Sequence, residues 1–242
     1  MRAFCSSFPV SADLPEHGEA LPPRGERPQD LARLLAHPAL WRAGRAARLP
    51  VWPSGFPALD EGLPGGGWPQ VGLIEILPSR LGVGELSLLM PMIAAVTHRP
   101  GARWCAWVAP SLQPFAPALE AFGVVLDRLL IVEASRSGSQ PLSLWAFEQV
   151  LGSGACDLAF AWARQPCARQ IRRLHLAAQR GSTLGVLFRS RREAQEASQA
   201  LLRVAVEPFD GGVRVTLLKS RGGARGAIDL KWASRAEPEE RA

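Results

Sequence analysis

A predominantly apolar run from Val71 to Leu77 enters a turn carrying Gly82 and Gly84, and an apolar helical pattern from Leu86 to Val96 leaves it. Strand, glycine turn and helix in this order form the layout of a phosphate-binding loop, in which glycines let backbone N–H groups close on phosphate oxygens. Such a loop also needs a Lys for the phosphates and a Ser or Thr for Mg²⁺. Glu85 and Leu86 stand in those places, and a carboxylate repels a triphosphate. The frame of a nucleotide site is present without its chemistry, so Gly82, Gly84, Glu85 and Leu86 are read as a degenerate loop that binds no ATP and calls for no cofactor. Glu85 is expected at the surface or in an interface.

The same apolar density recurs along the chain. Strands are expected over Arg103–Ala109, Arg128–Glu133, Cys156–Trp162 and Thr183–Phe188, with helices over Gly84–His98, Pro114–Phe122, Gln140–Leu151 and Pro166–Arg180 between them. Strands of nearly continuous apolar residues separated by helices predict a parallel sheet covered on both faces. The end changes character. Leu201–Glu207 and Val213–Lys219 flank Asp210-Gly211 and predict an antiparallel hairpin, with Ile228–Trp232 as a last edge strand. Arg191–Gln199 is a short polar loop or helical turn. Pro50–Gln70 is rich in turn formers: Ser54–Asp60 reads as a turn and a capped short helix, and Leu63–Pro69 as a loop that no helix or strand accommodates.

Ahead of this core, residues 1–28 are rich in Pro, Gly and acids and are expected to be disordered. Residues 29–48 read as a helical arm, with Leu31, Leu34 and Leu35 at helical spacing and Trp41 beside Arg42. Trp41 either anchors a partner or packs back on the core. The main domain is expected over 49–233 and a flexible tail over 234–242.

Charge sharpens the function classes. The formal net charge is +6, and between Ala161 and Arg235 there are fifteen Lys/Arg against five Asp/Glu. That balance favours nucleic acid or an acidic partner, or else a solvated arginine-rich face. The four cysteines lie far apart, none at metal-ligand spacing, and the four histidines do not cluster. No apolar run is long enough to span a bilayer, and the first ten residues do not read as a signal peptide, so a cytoplasmic protein is expected.

Ser54-Gly55, Leu59-Asp60, Gly66-Gly67-Trp68-Pro69 and Glu75-Ile76, at their spacing, resemble the entry of a RecA-like recombinase core. The likeness extends through Cys105–Val108, Asp157–Trp162 and the terminal hairpin to Lys219-Ser220-Arg221. Leu63–Pro69, Gly82–Pro91 and Arg172–Ala178 carry a closer resemblance to the ImuA family, RecA-like accessory proteins of a bacterial translesion cassette, and the central region is also similar to the SulA division inhibitors. The resemblance implies a RecA-like α/β fold with a mostly parallel twisted sheet and a C-terminal antiparallel hairpin. It also marks lost ATPase positions: Ser111 stands where a Glu would activate water, and Trp162 where an Asp would order Mg²⁺. With the loop itself, three elements of phosphoryl transfer are missing together, and no enzymatic activity is expected.

By the same resemblance, the chain is expected to act as a non-catalytic adaptor in SOS-induced error-prone translesion synthesis. Its partners would be an ImuB-like inactive Y-family polymerase, a DnaE2-type polymerase and RecA. The alternative is a SulA-like inhibitor of a division protein. SulA-like chains end near the position of Arg189, whereas this one continues through the hairpin and carries the arm. A working ATP-dependent RecA-like protein is a third reading, and a dinucleotide enzyme resting on Gly82-Val83-Gly84 alone is set aside. Leu31, Leu34, Leu35, Trp41, Arg42, Lys219 and Arg221 are candidate protein contacts, the last two also candidate phosphate contacts or a solvated loop. Arg164, Arg169, Arg189, Arg191 and Arg192 are candidate contacts to single-stranded DNA.

Overall fold

The computed structural model describes residues 50–134, 140–163, 165–220 and 226–232. The expected arm, with Leu31, Leu34, Leu35, Trp41 and Arg42, lies outside these residues, as do Arg164, Arg221 and the segments 1–28 and 234–242.

Among the described residues the chain runs β1 (Val51–Trp52), α1 (Pro57–Gly62), β2 (Trp68–Pro69), β3 (Gly72–Pro78), α2 (Met90–His98), β4 (Trp104–Val108), α3 (Ala116–Ala121) and β5 (Leu129–Val132). It continues through α4 (Gln140–Gly152), β6 (Cys156–Trp162), α5 (Ala168–Arg180), β7 (Leu184–Phe188), a 3₁₀ turn at Arg191–Gln195, β8 (Leu202–Phe209), β9 (Gly212–Ser220) and β10 (Ala227–Lys231). Eight strands form one sheet in the order β10-β9-β8-β3-β7-β6-β4-β5. The six from β8 to β5 are parallel, and β9 and β10 are antiparallel, so the expected α/β class, hairpin and edge strand all stand. Phe209 pairs with Gly212 across Asp210-Gly211, and Gly211 provides the positive φ of 68° that closes the turn.

Alternation along each strand divides the core into two layers. Ile74 and Ile76, Cys105 and Trp107, and Leu158 and Phe160 point to one face, where they meet Met92, Ile93 and Val96 of α2 and Leu119 of α3. Leu73, Ala106, Val108, Ala159 and Ala161 point to the other, under Leu144, Phe147 and Leu151 of α4 and Ile171, Leu174 and Ala178 of α5. That second face is built of small residues, which lets the helices lie close. A side chain at Gly185 would stand 2.8 Å from Leu151 Cδ2 and 3.1 Å from Leu73 Cδ1.

Two local expectations are corrected. The helix after the glycine turn starts at Met90, six residues later than expected, with Pro91 in its first turn. Proline has no N–H to bond Ser87 and its ring crowds that carbonyl, so a helix begun at Gly84 cannot run through it, whereas a helix begun at Met90 leaves that N–H unneeded. Residues 85–89 are turns. The Leu63–Pro69 segment is not wholly loop: Trp68 and Pro69 pair with Val51 and Trp52 in a two-stranded ribbon. A side chain at Gly67 would collide with the Trp52 carbonyl, so the ribbon depends on a glycine there.

The amino ends of the parallel strands are pinned by Asp157. Its carboxylate accepts from the Arg103 N–H at 2.8 Å, from Arg103 Nε at 2.9 Å and from Arg99 Nη2 at 2.9 Å. Arg103 also donates to the carbonyls of Gly154, Gly181 and Ser182, joining the loops that lead into β6 and β7. Burial alone would raise the pKa of Asp157, but the bonds from Arg103 and Arg99 outweigh it and hold the carboxyl below its ordinary value. A depressed folded-state pKa contributes stability above the unfolded value near 4, and that contribution is lost as pH falls through the folded value. Asp157→Asn is therefore expected to cost about 1–3 kcal/mol at neutral pH. Thermal unfolding in steps from pH 7 to pH 3 should show the gap between parent and variant narrowing below about pH 4.

Candidate cleft at the carboxyl ends of the sheet

A cleft of about 730 Å³ opens at the carboxyl ends of β3, β4, β6 and β7. In open α/β sheets this is the edge where ligands bind, because the loops there spread apart. Pro78–Leu81, Ala109–Ser111, Trp162, Ala163, Phe188–Ser190 and Ser143 line it. Ala109 holds a left-handed φ of 46°, uncommon for a residue with a side chain, and this turns Pro110 and Ser111 along the cleft wall. Ser111 and Trp162, about fifty residues apart in sequence, thus share one cleft.

Part of the cleft wall is aromatic. Trp162 stacks on Phe188 with centroids 4.7 Å apart and planes 15° apart, and Trp107 leans on Trp162 at 5.7 Å. An indole stands where a metal-ordering carboxylate would be expected. Ser79, Arg80 and Leu81 face the cleft, but Gly82 to Ser87 turn away and line a second depression against Trp232.

The two loop glycines serve packing and turning. Gly82 has φ 82° and Gly84 φ 107°. A side chain at Gly84 would stand 2.7 Å from Trp232 Cζ2 and 2.9 Å from Val213 Cγ1, so the loop is drawn against the hairpin. Glu85 is not at the surface, as expected, but only 4% exposed. Its Oε1 accepts the Gly82 N–H at 2.9 Å, and its Oε2 has no hydrogen-bond partner among the described residues. The carboxylate thus satisfies the Gly82 N–H from within the turn. Leu86 packs against the core beneath the same turn.

Beside the cleft lies a buried ion network that no motif in the sequence announces. Glu75, in the middle of β3, accepts from Arg189 Nη1 at 3.1 Å, Ser198 Oγ at 2.6 Å and Arg203 Nε at 2.7 Å. Arg189 also donates to Glu193 at 2.8 Å and Glu196 at 2.6 Å, and Arg203 donates to the carbonyls of Glu193, Ala194 and Glu196. Burial alone would lower the Arg189 pKa, but Glu75, Glu193 and Glu196 hold it above the ordinary arginine value. A single Glu in a buried apolar strand was a usable signal, because such a charge demands a cation from a neighbouring strand.

The candidate DNA contacts separate accordingly. Arg189 is a correction: its side chain is fully buried and bonded to three carboxylates, so it cannot reach a phosphate. Arg191 is half-buried and lies 3.5 Å from Glu207, while Arg169 and Arg192 are exposed. Lys219 donates to the Ser198 carbonyl at 2.7 Å, which ties it to the loop beside Glu75. Burial pushes the Cys105 thiol up to about 12 and Cys156 to about 11, leaving both as packing groups. No group of three His, Cys, Asp or Glu side chains suited to a metal occurs among the described residues, and no described helix is long and apolar enough to cross a membrane.

Glu75→Gln keeps the volume but leaves Arg189 and Arg203 buried against a neutral amide. Denaturant unfolding should show a loss of about 3–5 kcal/mol. Glu196→Gln, at the half-exposed rim of the same network, should cost less than about 1 kcal/mol.

No established family profile matches the chain. Protein ImuA of Caulobacter vibrioides is 33% identical over 153 residues, covering 62% of this chain and 61% of that protein, so the match spans less than two thirds of its relative. The cell division inhibitor SulA of Edwardsiella piscicida is 30% identical over 124 residues, covering 50% of this chain and 69% of that protein. Among solved structures, SulA from Pseudomonas aeruginosa aligns with a TM-score of 0.41 at 22% identity, over 48% of this chain and 97% of that one. The chain belongs to the ImuA/SulA-like family.

Proposed function

We propose that this chain is a non-catalytic, RecA-like adaptor of SOS-induced error-prone translesion synthesis. The observation that carries the reading is the internal bond from the Gly82 N–H to the buried Glu85 carboxylate. It supports a loop that has exchanged phosphate binding for self-closure, since an incoming triphosphate would have to displace a buried anion and then face its charge. The Trp162–Phe188 stack in the adjacent cleft supports the same conclusion, because the described residues that line the cleft include no carboxylate to order Mg²⁺. With hydrolysis set aside, the sheet is a scaffold. The likeness to an ImuA protein supports an ImuB-like inactive polymerase as the direct partner, with a DnaE2-type polymerase and RecA as further members of the assembly. Arg169, Arg191 and Arg192 are the remaining described candidates for phosphate contact. Lys219 joins them only if its bond to Ser198 opens.

The division-inhibitor reading is favoured by one observation, the match over 69% of a SulA protein. Against it stands the integration of β8–β10: β8 brings Arg203 to Glu75, and β9 and β10 complete the core around Val213, Val215 and Leu230. These strands are part of the domain and not an appendage to it.

The full chain is expected to show no saturable, Mg²⁺-dependent uptake of a fluorescent ATP analogue at millimolar concentration, and Glu85→Lys should not create it. Tight binding by the parent would overturn the non-catalytic reading. Tagged protein from DNA-damaged cells should recover the ImuB-like polymerase. Recovery of the division protein in its place would reverse the ranking of the two functions. Arg169→Ala/Arg191→Ala/Arg192→Ala should weaken binding to a thirty-residue oligo-dT several-fold at low salt, with a shallower salt dependence. Equal binding by parent and variant would remove DNA from the proposal.

A further inference from the structure

The depression between the glycine turn and Trp232 has a volume of about 340 Å³, and among its described lining residues Glu85 alone is charged. Glu85 is buried, its Oε2 has no hydrogen-bond partner, and no described Lys or Arg pairs with it. Its other oxygen is taken up by the Gly82 N–H. The remaining buried acids among the described residues differ. Glu75, Asp157 and Glu193 each meet at least one arginine within the chain. A buried carboxylate oxygen left bare costs stability and calls for a reason. Trp232 forms the opposite wall. Its backbone N–H donates to the Gly211 carbonyl at 3.0 Å, and its ring meets Phe56 edge to face at 5.9 Å. The outer side of the turn is open: Leu81 is 52% exposed, and a side chain at Gly82 would meet nothing within 4 Å.

We propose that this depression receives an arginine side chain of a partner protein, with the guanidinium bonded to Glu85 Oε2 and lying against the Trp232 indole. The partner then supplies to Glu85 what the other buried acids obtain from within the chain, and charge complementarity names the occupant. Arginine suits the site better than lysine, because its planar, weakly hydrated head stacks on an aromatic ring and bonds a carboxylate directionally. A divalent cation needs several oxygen ligands, and no group of three acidic, His or Cys side chains stands here or elsewhere among the described residues. Nucleic acid would bring phosphates towards an uncompensated anion. Oε2 is covered in the free chain, so engagement includes a shift of the open Leu81–Gly82 side of the turn. The inference goes beyond the adaptor reading, since it requires the bare oxygen and not the absence of nucleotide.

The test selects displayed nine-residue peptides on the full chain, in four pools whose central residue is Arg, Lys, Gln or Glu and whose other positions are random. The Arg pool is expected to be retained most and the Lys pool less. Synthetic copies of retained peptides should lose affinity tenfold or more on Glu85→Gln, and again when their central Arg is replaced by Gln. Trp232→Leu should weaken them several-fold. Gln at position 85 keeps an oxygen for the Gly82 N–H and removes the charge, so Glu85→Gln should unfold at or above the temperature of the parent, opposite in sign to Glu75→Gln. That separates lost recognition from lost folding. No retention of the Arg pool, preferential retention of the Gln or Glu pool, or equal affinity of parent and Glu85→Gln would overturn the proposal. So would unfolding of Glu85→Gln well below the parent, which would make the charge a structural one. None of these outcomes bears on the ATP titration, so this inference and the non-catalytic reading fail separately.

Discussion

Glu75 sits at the centre of a buried strand, and a carboxylate there cannot exist without cations brought to it. Both come from the flanking strands: Arg189 from the end of β7, and Arg203 from the second position of β8. The pairing has consequences for register. Glu75 stands beside Arg203 in the ladder, and a slip of one residue in β8 would bring Val204 against the carboxylate and drive Arg203 into the apolar layer. The network also closes the part of the sheet that α4 and α5 do not cover, since the 3₁₀ turn carrying Glu193 folds over it. Asp157 and Arg103 do the corresponding work at the amino ends of β4 and β6. The parallel core is thus held at the amino ends of its strands and again across the middle of β3 by charges that neutralise each other.

This arrangement clarifies what the glycine turn does. In a nucleotide-binding protein its open N–H groups and its helix would wait for phosphate. Here Gly82 donates to Glu85, and Gly84 lets Trp232 and Val213 approach. The same backbone frame connects the parallel core to the hairpin. The internal bond and the close approach together make the turn a packed junction.

Much of the fold was legible from the chain. Strands such as Leu184–Phe188 are apolar at every position, and that pattern has few stable outcomes besides a sheet covered on both faces. The hairpin was equally plain, because Asp210-Gly211 between two alternating segments leaves little choice. The helix start was not, since its position turned on one proline inside an otherwise continuous helical pattern. The site was legible in part. Ser111 and Trp162 do meet in one cleft, yet nothing local distinguishes Arg189 from Arg192. One is buried on three carboxylates and the other lies in solvent, although both read as members of the same basic cluster.

By itself, the sequence determined the α/β class, the order of strands and helices along the chain, the antiparallel end, and the absence of Lys and Ser/Thr from the glycine turn. These follow from short-range periodicity, turn chemistry and residue identity, each contained within a few positions. Only the tertiary structure decided that Glu85 is buried on Gly82 and that Glu75 gathers arginines from 114 and 128 residues away. The physical reason is that burial and pairing of charge depend on which distant segments converge. A side chain's own sequence neighbourhood carries almost no record of that.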